Sequence, residues 1–194
     1  MSKKELLSEA LFFFNMKGKI LISSPSLLTD MIFYKSIILI VDQTDEGITG
    51  FILNRPSDLF MIKEVESSEK IKIDLYYGGP VSSEHFYLLR SEKIYTEIIN
   101  VYDNLFWGNN LDFLINQVEK GIIKMDDFIL FQGYSGWGLG QLDDEIANDS
   151  WIISNKKAEE IFNYRKKNSW NNLIKEFGNK YRLWSNSPDD ITLN

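Results

Sequence analysis

Apolar positions along the chain fall into two periodic patterns and several uninterrupted runs. Leu6, Leu7, Ala10, Leu11 and Phe14 keep to one helical face, predicting an amphipathic N-terminal helix that Gly18 stops. Lys19 to Ser23 reads as a strand ending in the breaker Ser24-Pro25-Ser26, and the link from Leu27 to Phe33 has room for a helical turn. Ile37-Ile38-Leu39-Ile40-Val41 is apolar and largely β-branched without a polar break, the pattern of a central strand buried on both faces. Turn residues from Asp42 to Gly47 predict a several-residue acidic loop, closing a hairpin with a strand over Ile48 to Leu53.

Charges enter between Ser57 and Asp74, where a helix is expected from about Leu59 to Glu66. Leu75 to Tyr77 and His85 to Leu89 are short strands joined by the tight turn Gly78-Gly79-Pro80-Val81. Edge strands are expected over Ile94 to Val101 and Leu105 to Trp107, then an amphipathic helix carrying Leu111, Leu114, Ile115, Val118 and Ile122, with its exit at Gly121. Phe128 to Phe131 is a further buried strand. It feeds Gly133-Tyr134-Ser135-Gly136-Trp137-Gly138-Leu139-Gly140, which reads as a close-packed turn into a helix over Gln141 to Asn148. Trp151 to Ile153 adds a strand, and helices near Lys156 to Lys166 and Ser169 to Phe177 follow, the second closing at Gly178. Strands and helices mix without regular βαβ alternation, so the class is α+β: one domain over residues 1–194, with room for a small subdomain over about 57–125.

Composition narrows the functional classes. The chain has no cysteine, which removes thiol nucleophiles and Cys-zinc sites and suits a reducing compartment; a cytoplasmic protein is expected. No stretch approaches the ~18 consecutive apolar residues of a membrane span. With 21 basic and 28 acidic residues the formal charge is −7, which disfavours direct nucleic-acid binding. The local basic runs, Lys156-Lys157 and Arg165-Lys166-Lys167, read as a solvated helix face.

Candidate chemistry is sparse. A single histidine, His85, rules out histidine-rich metal sites, and there is no Gly-x-Ser-x-Gly elbow for a serine nucleophile. The glycine-rich stretch lacks the Gly-Lys-Ser/Thr ending of a phosphate loop and precedes the acids Asp143, Asp144 and Glu145. These acids, like Asp42, Asp45 and Glu46, fit turn and capping chemistry better than a metal or an acid/base pair, so no metal or cofactor is expected. What remains is a set of binding candidates on turns: Asn54 and Arg55 before Pro56, with Arg55 an anchor for a carboxylate or phosphate; Gly78, Gly79 and Pro80; and Tyr134, Ser135, Trp137, Gln141 and Glu145. Tyr134 and Trp137 fit either a stacking surface or a core plug.

Several motifs occur in a fixed order: Gly18-Lys19-Ile20-Leu21-Ile22-Ser23, Phe33 with Lys35-Ser36, Asp45-Glu46-Gly47, Gly50-Phe51-Ile52-Leu53-Asn54, Tyr77-Gly78-Gly79-Pro80-Val81, Gly133 to Trp137 with Gln141-Leu142, then Glu145-Ile146 and Trp151. Together they resemble the AlgH/YqgE-like family of bacterial proteins over about residues 17 to 153, with a weaker echo at Pro188 to Asn194. The resemblance implies a compact α+β fold, its mixed or antiparallel sheet bifurcated and forming a barrel-like core with flanking helices, and a cytoplasmic protein without a settled activity. Some members carry the label of transcriptional regulator. The family pattern has histidines near the positions of Gln43 and Arg90, absent here; a family enzyme using them would be inactive in this chain. The leading expectation is a non-catalytic binding or regulatory protein with an unidentified protein or small-molecule partner, a monomer or weak homo-oligomer. The alternative is a hydrolase or other small-molecule enzyme in which Arg55 and a carboxylate such as Glu145 share a crevice.

Overall fold

The computed structural model describes residues 15–64, 70–156 and 158–187, so the expected N-terminal helix and the Pro188 to Asn194 tail lie outside the described residues. Ten strands make one sheet: β1 (Lys19–Ser23), β2 (Ile37–Thr44), β3 (Gly47–Ile52), β4 (Pro56–Glu64), β5 (Lys70–Tyr77), β6 (Val81–Arg90), β7 (Ile99–Tyr102), β8 (Leu105–Gly108), β9 (Phe128–Gly138) and β10 (Trp151–Asn155). The main path runs β10-β1-β2-β3-β9-β6-β8-β7, while β4 pairs with β5 and β5 with β9. Every pairing is antiparallel except β5 with β9. The fold is α+β, and the sheet curls into a half-barrel.

Strand β9 is where the sheet divides. Along one edge it pairs with β6; along the other, Leu130 to Gln132 take β5 and Ser135 to Gly138 take β3. Two flanking strands thus share one edge of a third, which is the bifurcation expected from the family resemblance.

The run at Ile37 to Val41 is buried throughout, as its composition requires. Successive residues serve opposite faces: Ile37, Leu39 and Val41 join a core with Phe51, Phe131 and Trp170, whereas Ile38 and Ile40 join another with Met16, Trp137 and Trp151. The first face is covered by the C-terminal helical segments, from α3 (Ala158–Ile161) through α4 (Ser169–Ile174) to α5 (Asn179–Arg182), which contribute Ile161, Trp170, Leu173 and Ile174. The second is covered by α2 (Gln141–Ala147) through Leu142, and a third core joins Leu75, Tyr87 and Leu130 to Leu114 of α1 (Leu111–Glu119).

Four sequence expectations need correction. The segment from Leu59 to Glu64 is strand β4, not a helix, because β5 pairs with it from Lys70 to Tyr76; Leu59-Phe60-Met61-Ile62 is an apolar run without a period of its own. The acidic hairpin loop shrinks to Asp45-Glu46, since β2 and β3 pair out to Thr44 and Gly47. Strand β7 begins at Ile99, leaving Ile94 to Ile98 outside the ladder. The glycine-rich stretch is not a turn: β9 continues through Gly138, and only Leu139-Gly140 separates it from α2.

Candidate functional site

The two glycine motifs meet backbone to backbone. After β5, the chain crosses over β9 to reach its opposite edge as β6, and it crosses at Gly79. A Cβ on Gly79, whose φ is 151°, would sit 2.3 Å from the carbonyl carbon and oxygen of Tyr134. Gly133, at φ 69°, carries the reciprocal constraint, since its Cβ would lie 2.5 Å from the Gly79 carbonyl oxygen. Gly78 joins the layers: its N–H donates to Gln132 O at 2.9 Å, and its carbonyl accepts from Ile52 N at 3.0 Å and Ser135 Oγ at 3.1 Å. Ser135 is fully buried in this role, and Pro80 is exposed beside it. These residues make a crossing, and their glycines are required by approach of main chain to main chain rather than by a ligand.

Trp137, Gln141 and Glu145 form a second unit. Glu145 Oε2 accepts from Trp137 Nε1 at 2.8 Å and from Trp151 Nε1 at 2.7 Å, while Oε1 accepts from Gln141 Nε2 at 2.9 Å. Gln141 in turn accepts from Gly138 N at 3.0 Å, fixing the strand-to-helix step. Phe33 stacks on Trp137 at 6.3 Å and meets Trp151 edge-on at 5.5 Å. Trp137 and Trp151 are both buried. Two indole N–H groups converging on one carboxylate oxygen is how a buried polar pair is satisfied. Tyr134 is half-buried and packs edge-on against Phe86 at 5.5 Å. Of the two readings for these aromatics, Trp137 takes the core one.

Asn54 and Arg55 lie elsewhere. Asn54 Oδ1 accepts from Ile37 N at 2.9 Å and its Nδ2 donates to Lys35 O at 2.8 Å, clamping the end of β3 to the start of β2. Arg55 donates to the carbonyls of Ile32 and Tyr34, the latter at 2.9 Å, and lies 6.0 Å from the centre of the Tyr77 ring. Burial pushes its pKa down, against opposing effects from Tyr77 and Asp30. Asp30 is itself engaged by the N–H groups of Ile32 and Phe33, at 2.8 and 2.7 Å.

Arg55 also lines a cleft of about 570 Å³ together with Tyr34, Lys35, Asn54, Pro56, the segment 165–169, Trp170 and Asn171. Among the described lining residues five are cationic, Lys35, Arg55, Arg165, Lys166 and Lys167, and none is acidic. Lys35 is buried with φ 47°; its Nζ donates to Ser187 O at 2.6 Å and lies 5.5 Å from the Trp170 ring centre. Glu145 is not among the lining residues, so the structure does not bring it to Arg55 in a shared crevice. Among the described residues, no group of three or more His, Asp or Glu side chains could hold a metal ion, and no helix is long and apolar enough to cross a membrane.

The sequence pattern of the AlgH-like family matches residues 20–182. The chain belongs to the AlgH-like family. It is 36% identical over 180 residues to a UPF0301 protein of Cytophaga hutchinsonii, covering 92% of this chain and 98% of that one. A UPF0301 protein of Chlorobium limicola is 34% identical over 179 residues, covering 91% and 95%. In structure the chain is similar to AlgH from Pseudomonas aeruginosa, with a TM-score of 0.67, 22% identity and coverage of 90% and 95%. A Corynebacterium diphtheriae protein superposes with a TM-score of 0.70 at 19% identity, covering 96% and 100%. These two likenesses speak to the AlgH-like fold alone.

Within that fold, sequence reasoning missed Lys35, Arg165, Lys166, Lys167 and Trp170 as lining residues. Arg165-Lys166-Lys167 read as a helix face, but the 3-10 segment after α3 ends at Arg165, Lys166 is extended, and Asn168 adopts a left-handed conformation. The signal was available: three consecutive cations followed by Asn168-Ser169, a helix-breaking pair, place a basic run at a turn.

Proposed function

We propose that the chain is a non-catalytic binding protein with a regulatory role, and that its recognition site is the cleft beside Asn54-Arg55-Pro56. The observation that carries this reading is the division of labour among polar side chains. The described lining residues supply cations and hydrogen-bonding groups and no carboxylate, while Glu145 is committed to two buried indoles. These residues can hold and orient a ligand, yet none of them offers a carboxylate to exchange a proton with one. Its volume falls in the range of small-molecule sites, about 300–1,000 Å³. The short basic run and the net charge of −7 favour a small molecule or an acidic protein segment over a nucleic-acid backbone.

The test is a ligand screen by thermal shift, with each stabilising compound then incubated with protein and followed by NMR. The expected outcome is stabilisation, amide shifts at Asn54 and Asn168, and recovery of the compound unchanged. Protein-dependent consumption of any such compound would refute the non-catalytic reading.

A further inference from the structure

We infer that the cleft takes a small multivalent anion, one bearing two or more adjacent phosphate or carboxylate groups. This rests on the reading of the cleft as a recognition site and goes beyond it by assigning the ligand's charge. Three observations point the same way. First, the charge of the lining is opposite to that of the molecule: Lys35, Arg55, Arg165, Lys166 and Lys167 face one space in a chain of net charge −7. Neutral mixing of signs is the usual condition of a protein surface, and a cleft lined by one sign focuses potential and draws in the opposite charge.

Second, Arg55, Arg165, Lys166 and Lys167 form no ion pair with another described residue, although the Asp30 carboxylate acts on Arg55 from a distance. Arg55 makes its bonds to the carbonyls of Ile32 and Tyr34, and Arg165 uses Nε on Phe162 O while its guanidinium lies 5.4 Å from the Phe162 ring centre. Lys166 and Lys167 are exposed, and no ion pair joins either of them to another described residue. Carbonyl contacts orient a guanidinium without cancelling its charge, and burial of an uncancelled charge is unfavourable. A bound anion would relieve that cost at Arg55.

Third, the geometry suits more than one anionic group. Arg55 stands on the β3–β4 connection and Lys35 just before β2, whereas Arg165 to Lys167 come from the end of the 3-10 segment and the loop before α4, so the cations come from separate elements. Several cations supplied by separate elements match a ligand that carries more than one anionic group. The exposed Pro56 leaves apolar surface beside the charges for whatever carries them.

The test measures binding of pyrophosphate, citrate and acetate to the full chain by titration calorimetry at two salt concentrations. A Lys166→Gln/Lys167→Gln double variant is the probe, and Lys120→Gln, an exposed lysine outside the cleft lining, is the control. Both cleft lysines are exposed, so the fold should persist, which thermal unfolding verifies. The expected result is binding of pyrophosphate or citrate that weakens with salt and falls about tenfold in the double variant but not in the control, with acetate not binding. Pyrophosphate alone would assign phosphate compounds, and citrate alone polycarboxylates; either supports the inference. Binding of neither, or equal affinity in the double variant, overturns it. If a neutral compound from the screen shifts Asn54 and Asn168 while no polyanion binds, the recognition site stands and the charge assignment falls. If a bound polyanion is consumed, the reverse holds.

Discussion

Replacing Glu145 by alanine separates a structural carboxylate from a functional one. Its Oε2 receives both indole N–H groups, at 2.8 and 2.7 Å, from tryptophans that are each only 4% exposed. Charge-assisted bonds of this kind contribute about 1.5–3 kcal/mol each. Losing both therefore comes to roughly 3–6 kcal/mol, with the lower end favoured because Glu145 is half-buried and water can reach part of the gap. For a chain of this size about 3 kcal/mol lowers Tm by roughly 6–12 °C. Glu145→Gln keeps one oxygen for the indoles but turns an N–H₂ toward Gln141, so its loss should be intermediate. The assay is urea unfolding followed by tryptophan fluorescence, with pyrophosphate affinity measured on the folded variant. A Glu145→Ala protein as stable as the parent would refute the reasoning. So would one that stays folded yet loses anion affinity, because Glu145 would then act at the recognition site.

Other expectations follow from single contacts. Gly79→Ala should destabilise by about 3 kcal/mol or more, measured by urea midpoint, because the new methyl meets the Tyr134 main chain at 2.3 Å in a left-handed conformation; a change under about 1 kcal/mol would contradict the crossing. Asp143 is buried, and desolvation, then the neighbouring Asp144, pushes its pKa up. The folded state therefore holds the proton more tightly than the unfolded one, and stability drops as pH rises from the ordinary carboxylate value through the folded one. Asp143→Asn should gain stability relative to the parent at pH 7 and lose that advantage at pH 3; the same difference at both pH values would contradict it. The Tyr87 hydroxyl is buried without a hydrogen-bond partner among the described residues, and burial pushes its pKa up. Tyr87→Phe should be as stable as the parent or up to about 1 kcal/mol more so by thermal unfolding, whereas a clear loss would show that the hydroxyl has a partner.

How much of this was legible in the sequence depended on whether a residue's environment is set locally. Ile37 to Val41 announces a strand buried on both faces because nothing polar interrupts it, and so it lies. Leu59 to Glu64 announces nothing, since four adjacent apolar residues suit either period and only pairing with β5 decides. Four glycines between Gly133 and Gly140 pointed to close main-chain approach, and Gly133 does meet Gly79. That the partner was another strand connection, so that the stretch extends β9 instead of ending it, depends on residues more than fifty positions away. Among the candidates, Trp137, Gln141 and Glu145 read as binding residues on turns, whereas their hydrogen bonds join one another and hold α2 against the sheet. Arg55 reads as an anion anchor from its place at a strand end; Lys35 and Arg165 to Lys167, which line the same cleft, are brought there by tertiary folding, and no local spacing unites them.

The most direct measurement is a crystal structure of the chain grown or soaked with pyrophosphate or citrate. The anion is expected in the cleft, within hydrogen-bonding distance of Arg55 and of at least one of Arg165, Lys166 and Lys167, with Glu145 still bonded to both indoles. An anion ordered instead at the Trp137–Glu145 turn or at the Gly79 crossing, with the cleft empty, would contradict the assignment of the recognition site.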